Sequence, residues 1–149
     1  MSHMLVSSAQ NQWVKTLRLL SEKSRERKQS GVFVIDGWKE IQMAMDAGFE
    51  IQQLFFREGS AVEVAEREAT QVFEIEKSLF DKLSYRGNTS LALAIVTTKT
   101  ITLDEIKLSD SPLLLIADAV EKPGNIGAML RTVDATGADA LICCDTGTD

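Results

Sequence analysis

Apolar residues recur along this chain with two periods, and the alternation between them lays out its elements. Trp13, Leu17 and Leu20 line one side of a first helix, which Ser7 and Gln10 are spaced to cap and which fades into the polar run Ser21 to Ser30. Val32 to Ile35 reads as a short strand and Asp36-Gly37 as a turn. Trp38, Ile41, Ala44 and Met45 then fall at helical spacing, with Gly48 placed to end that helix. Further strands are expected at Ile51 to Phe56, Gln71 to Ile75 and Leu91 to Thr97. Ala61, Val64, Ala65 and Glu68 suggest a third helix, and Ser78 to Leu83 a short capped one. Lys99 to Ser111 is polar, has no period and ends at Pro112, as an interdomain linker does. Beyond it Leu113 to Ala117 is continuously apolar, the pattern of a strand covered on both faces of a parallel sheet. Ile126, Met129, Leu130 and Val133 give a helix with one buried face, and a second strand follows Thr136-Gly137-Ala138-Asp139. Strands alternating with helices imply an α/β layer protein.

Composition narrows the picture. At 149 residues and 44% hydrophobic, the chain has room for one ordinary domain or one and a fraction. No apolar stretch is long enough to span a bilayer and no leader resembles a signal peptide, so a cytoplasmic protein without a membrane partner is expected. Met1-Ser2-His3-Met4 looks like a cloning remnant ahead of a natural start at Met4, and the one histidine is set aside. Cys143 and Cys144 stand side by side in a predicted buried strand and read as small core residues of a reduced protein. Too few ligands accompany them for zinc, and no metal is expected.

Net charge is −6, which argues against nucleic acid until its distribution is considered. Lys15, Arg18, Lys23, Arg25, Arg27 and Lys28 share a segment whose only acids are Glu22 and Glu26, a local balance of +4 against −10 elsewhere. A locally basic helix on an acidic body can meet phosphate. It is equally what a solvated helix face with acid–base pairs one turn apart looks like.

The densest chemistry lies in Asp118-Ala119-Val120-Glu121-Lys122-Pro123-Gly124-Asn125-Ile126-Gly127-Ala128-Met129-Leu130-Arg131, where an apolar strand passes through a polar elbow into a helix. Asn125 occupies the expected N-cap, and Gly124 and Gly127 permit a close approach of the backbone. Arg131 falls opposite the apolar stripe, so packing does not account for it. Taken singly, Asn125 is an ordinary cap and Arg131 a surface partner for Asp134, a pair worth about 0.2–0.5 kcal/mol. The glycine spacing matches neither a dinucleotide fingerprint nor a phosphate loop.

The motif D-x-V-x-x-P-G-N-I-G-x-x-x-R between two strands resembles the first motif of the SpoU (TrmH) RNA 2′-O-ribose methyltransferases, members of the SPOUT superfamily of knotted enzymes. Arg25 onward also carries a resemblance, through Gly31-x-Phe33-Val34-Ile35-Asp36-Gly37 and then Tyr85-Arg86-Gly87-Asn88 before the strand Ala92 to Val96. This part looks like the small substrate-binding domain that precedes catalysis in many SpoU enzymes. Asp36 stands where the family pattern usually has glutamate, and Leu91 where glycine is commoner.

The resemblance implies an α/β chain in which residues 5–99 form a ribosomal-protein-like RNA substrate-binding domain. Residues 100–111 are then a linker, and residues 112–149 the incomplete start of an α/β-knot (SPOUT) methyltransferase domain. It implies S-adenosyl-L-methionine as cofactor and a homodimeric parent acting on structured RNA, ribosomal ahead of transfer RNA. The cofactor-contacting motifs come later in the family, so none is assigned and this stretch alone is expected to be inactive. One helix and two strands after Pro112 are also too few to cover their own apolar faces.

Arg131 takes the place of the motif arginine that acts on the 2′-hydroxyl. A guanidinium stays protonated, which favours stabilisation of a forming alkoxide over proton abstraction. Asn125 is its accompanying polar residue. Candidate RNA contacts are Lys15, Arg25, Arg27 and Lys28 by charge, and Arg86 and Asn88 because a turn between elements exposes them. Trp13 and Trp38 lie on apolar faces and are expected in the core. A non-catalytic RNA-binding module is the competing function, and a generic small-molecule binder the third.

Overall fold

The computed structural model describes residues 4–60 and 69–147, so the helix expected around Ala61 to Glu68 and the residue His3 lie outside the described residues. The chain forms two compact units, Met1–Lys99 and Thr100–Asp149.

The first unit runs β1 (Met4–Val6), α1 (Gln12–Glu22), α2 (Ser24–Ser30), β2 (Val32–Asp36), α3 (Trp38–Asp46), β3 (Ile51–Arg57), β4 (Ala69–Ile75), α4 (Lys77–Leu83) and β5 (Ala92–Thr97). Its strands make one sheet in the order β1-β4-β3-β5-β2. β1, β4 and β3 are parallel, and β5 runs antiparallel to β3 and β2. Strand periodicity sorts β5 into two cores. Leu93 and Ile95 join Phe55, Phe73 and Ile75 beneath Val14, Leu17 and Leu20 of α1 and Phe80 of α4. Ala92, Ala94 and Val96 join Leu54 and Phe56 on the other face, under Ile41 of α3. Trp13 lies 5.6 Å from Phe73 and Trp38 5.8 Å from Phe56, centroid to centroid, so both indoles pack against the cores.

Three local readings change. α1 begins after Asn11, whose side chain accepts the Trp13 N–H at 2.9 Å, while Ser8 Oγ only receives the Gln10 N–H. Asparagine caps as well as serine does, and this one stands next to the first apolar turn. The polar run is largely helix α2, which buries no residue and so left no apolar stripe to read. Gly31, at φ 65°, closes α2 in the left-handed conformation, and Arg27 Nη1 donates to Leu20 O at 2.7 Å to finish the end of α1. β1, a three-residue edge strand beside β4, was too short to announce itself.

The second unit contains β6 (Leu114–Asp118), α5 (Pro123–Thr136) and β7 (Ala140–Cys144), with β6 parallel to β7. Ala117 and Val133 are buried. Within this chain the apolar strand is not covered on both faces, as expected of two strands with one helix: Leu113 is 58% and Ile116 64% exposed. Cys143 and Cys144 are exposed too, not core residues. One helix can cover only one face of two strands, so the other face of this apolar pair is left open within these residues. The stretch expected as a linker is partly organised. Thr102 and Glu105 form a capping box around a single 3-10 turn. The Asp139 carboxylate accepts the Leu113 N–H at 2.9 Å and the Ser109 N–H at 2.7 Å, bonds that hold its pKa below the ordinary carboxylate range.

Candidate functional site

Two loops carry the candidate chemistry, one in each unit. In the second unit β6 ends at Asp118, and Ala119 then adopts φ 51°, donating its N–H to Cys144 O at 3.0 Å. Asp145, just beyond β7, sits at φ 44°. Left-handed backbone costs an L-residue roughly 1–2 kcal/mol, so both strand tips store strain.

The chain next enters α5, and Asn125 is not its cap. Lys122 is the N-cap residue, without a side-chain bond, and Pro123 takes the first helical position. Proline suits that position because its φ is already helical and its missing N–H would have had no partner. The helix therefore starts early and Asn125 lies within its first turn, its N–H on Lys122 O at 3.0 Å. Freed from capping, the Asn125 amide makes no hydrogen bond to a described residue. It lines an open cleft of about 360 Å³ with Ala119, Val120, Glu121, Lys122 and Met129. The cleft lies at the carboxyl ends of the strands, where open α/β sheets bind ligands.

Arg131 is exposed and makes neither hydrogen bond nor ion pair with a described residue, so Asp134 does not hold it. Gly124, Gly127 and Arg131 share one face of α5. Arg131 Nη1 lies 3.7 Å from where a Gly127 Cβ would be, so the guanidinium leans back along the helix toward the strand tips, over the space that glycine leaves. Asn125 lines the cleft while Arg131 lies outside its lining, one helix face away. Sequence reasoning missed Ala119, Glu121 and Lys122. No propensity signal marks an alanine for left-handed backbone.

S-adenosyl-L-methionine would need a site that encloses most of a nucleoside. This cleft is walled by one loop and one helical turn, and these residues alone do not fit that demand. No cofactor contact is assigned to them. Among the described residues no cluster of three or more His, Cys, Asp or Glu could hold a metal, and no helix is long and apolar enough to cross a membrane.

In the first unit Lys15 on α1 and Arg25 and Lys28 on α2 are exposed, whereas Arg27 is half-buried and committed to the carbonyls of Leu20 and Ser21. Arg86 and Asn88 stand in the loop between α4 and β5. That loop is tied to Asp36, whose carboxylate accepts from Ser84 Oγ at 2.8 Å, Ser90 Oγ at 2.6 Å and the Arg86 N–H at 3.2 Å. Arg86 Nη2 pairs with Glu40 Oε1 at 2.7 Å, which lowers the Glu40 pKa and raises that of Arg86. Asn88 is exposed and makes no hydrogen bond to a described residue.

Gly37 makes this arrangement possible. Its φ is 123°, and a Cβ there would overlap Glu40 Oε2 and approach Arg86 Nη1 to 2.7 Å. Gly37→Ala should therefore lower stability by about 1–3 kcal/mol and break the Glu40–Arg86 pair. Urea denaturation with an unchanged midpoint would refute this.

The chain is similar to the AdoMet-bound SpoU methyltransferase AviRb from Streptomyces viridochromogenes in fold, with a TM-score of 0.80 at 23% identity over 94% of this chain and 55% of that one. AdoMet-bound rRNA methyltransferase from Sinorhizobium meliloti matches at TM-score 0.82 and 27% identity over 93% of this chain and 53% of that chain. In sequence, the chain is 28% identical over 144 residues to the Bacillus subtilis 23S rRNA (guanosine(2553)-2′-O)-methyltransferase RlmP, covering 97% of this chain and 56% of RlmP. It thus spans about half the length of these relatives. Through residues 11–94 the chain belongs to the MRM3-like substrate binding domain family.

Proposed function

We propose that this chain carries the RNA-docking domain and the first catalytic segment of an S-adenosyl-L-methionine-dependent RNA 2′-O-ribose methyltransferase. Residues 5–99 dock structured ribosomal RNA, 100–111 connect, and 112–149 begin the catalytic domain of a protein that works as a cytoplasmic homodimer. The observation that carries the reading is Arg131, an arginine with no ion pair to a described residue, lying over a glycine face that leads to the tips of two parallel strands. In the relatives' chemistry the cofactor supplies the methyl group. What falls to this chain is the ribose oxygen. The fixed positive charge of Arg131 stabilises the negative charge that develops on the 2′-oxygen as its proton passes to solvent water, and the Asn125 amide orients the sugar from the cleft side. The uncovered apolar strands β6 and β7 support a catalytic domain that has further elements.

Deleting the gene should remove a specific ribose methylation from the large-subunit ribosomal RNA, read by sequencing-based mapping of 2′-O-methyl groups. Loss at a transfer RNA instead would reassign the substrate, and no loss in either RNA would sink the enzyme reading. Re-expressing the whole protein with Arg131→Ala separates the competing function, since an RNA-binding module would restore the mark through another enzyme.

A further inference from the structure

Tyr85 is the sole tyrosine of the chain, and 99% of its surface is exposed. We infer that Tyr85 is a stacking platform on which the first unit seats an unpaired RNA base, with Arg86 and Asn88 beside it. This rests on the RNA-docking reading above and names the residue that would do the seating.

The ring is held out by a fastened backbone. Ser84 before it and Ser90 after it are both buried, and both hydroxyls donate to Asp36. The Arg86 N–H donates to the same carboxylate and to Ser84 Oγ at 3.0 Å, and Thr89 Oγ1 closes on Arg86 O at 2.8 Å. Most of the ordering that a loose loop would undergo on binding is therefore already done, and only the two tyrosine torsions remain to be fixed.

The surroundings suit a base and not a protein partner. Protein anchors sit at the centre of apolar, water-excluding patches. Here the stretch from Lys82 to Leu91 carries Lys82 and Arg86 and otherwise mostly polar or small residues, and the acids that reach it, Asp36 and Glu40, are taken up by Ser84, Ser90 and Arg86. A lone aromatic face beside an amide with no hydrogen bond to a described residue offers stacking and edge recognition together, while Arg86, paired with Glu40, holds the loop in place. Trp13 and Trp38, the other large aromatic candidates, are taken up by the two cores.

Because the tyrosine is unique, ring-labelled tyrosine NMR on the 149-residue chain reports on this site alone. The probes are transcribed 23S rRNA for affinity and a mixed-sequence single-stranded RNA of about a dozen nucleotides for spectra, within the site sizes single-strand binders use. The RNA should move the Tyr85 ring signals upfield. Tyr85→Ala should weaken binding about 5- to 100-fold, while Tyr85→Phe and Tyr85→Trp stay within about threefold of wild type, as stacking on a π-face requires. Wild-type affinity in Tyr85→Ala with unmoved ring signals would overturn the inference and leave RNA docking standing. Failure of the unmodified chain to bind either RNA would overturn the docking reading, and this inference with it. Ring signals that shift with protein concentration alone would assign the tyrosine to a second copy of the chain and overturn the inference as well.

Discussion

Arg131→Ala in the whole protein is expected to lower kcat by about 10²- to 10³-fold, the usual loss when one donor to a developing oxyanion is removed. RNA affinity should change by only a few fold. The asymmetry follows from where the guanidinium lies. It leans over Gly127 toward the strand tips of its own unit, and no described residue shares its charge. On the proposed function such a group would meet the substrate as charge develops on the ribose oxygen, so its removal would act on the transition state and leave the ground state nearly untouched. Arg131→Lys should recover part of the rate, since a point charge remains but the planar fork does not. Methyl transfer from labelled cofactor under single-turnover conditions, set beside filter binding of the same RNA, makes the measurement. Equal losses in rate and affinity would reduce Arg131 to a phosphate anchor.

Phe55→Ala is expected to cost about 3–5 kcal/mol of the first unit's stability. Phe55 is fully buried on central strand β3, stacks on Phe73 with centroids 5.3 Å apart, and faces Leu93 across the β3–β5 ladder. Truncation leaves a void that α1 and α4 cannot both fill, because each is already seated on the same cluster. Urea unfolding should show a lower midpoint with an unchanged slope. A loss below about 1 kcal/mol would mean that the core collapses to fill the space.

The sheet strands were legible wherever β-branched and aromatic residues are dense, as in Ile51 to Phe56 and Leu91 to Thr97. Helix α2 was not, because a helix that buries nothing has no periodic stripe to betray it. At the elbow the motif marks the turn between strand and helix, but the cap falls on Lys122 and not on Asn125. Proline and asparagine both mark helix starts, and only the backbone decides between them. Cys143 and Cys144 fail for a different reason. Sequence reports how apolar a strand is, while burial depends on what lies over it. The fastening of the Arg86 loop by Asp36 joins residues about fifty positions apart, and no local pattern encodes it.

β5 is the last strand of the first unit in sequence, yet it lies between β3 and β2. During synthesis β2 therefore emerges with no hydrogen-bonding neighbour and must wait for some sixty further residues before its partner arrives. Until Thr97 clears the ribosome the nascent domain is split into two incomplete parts, and its exposed inner edges are the point at which a chaperone has most to do.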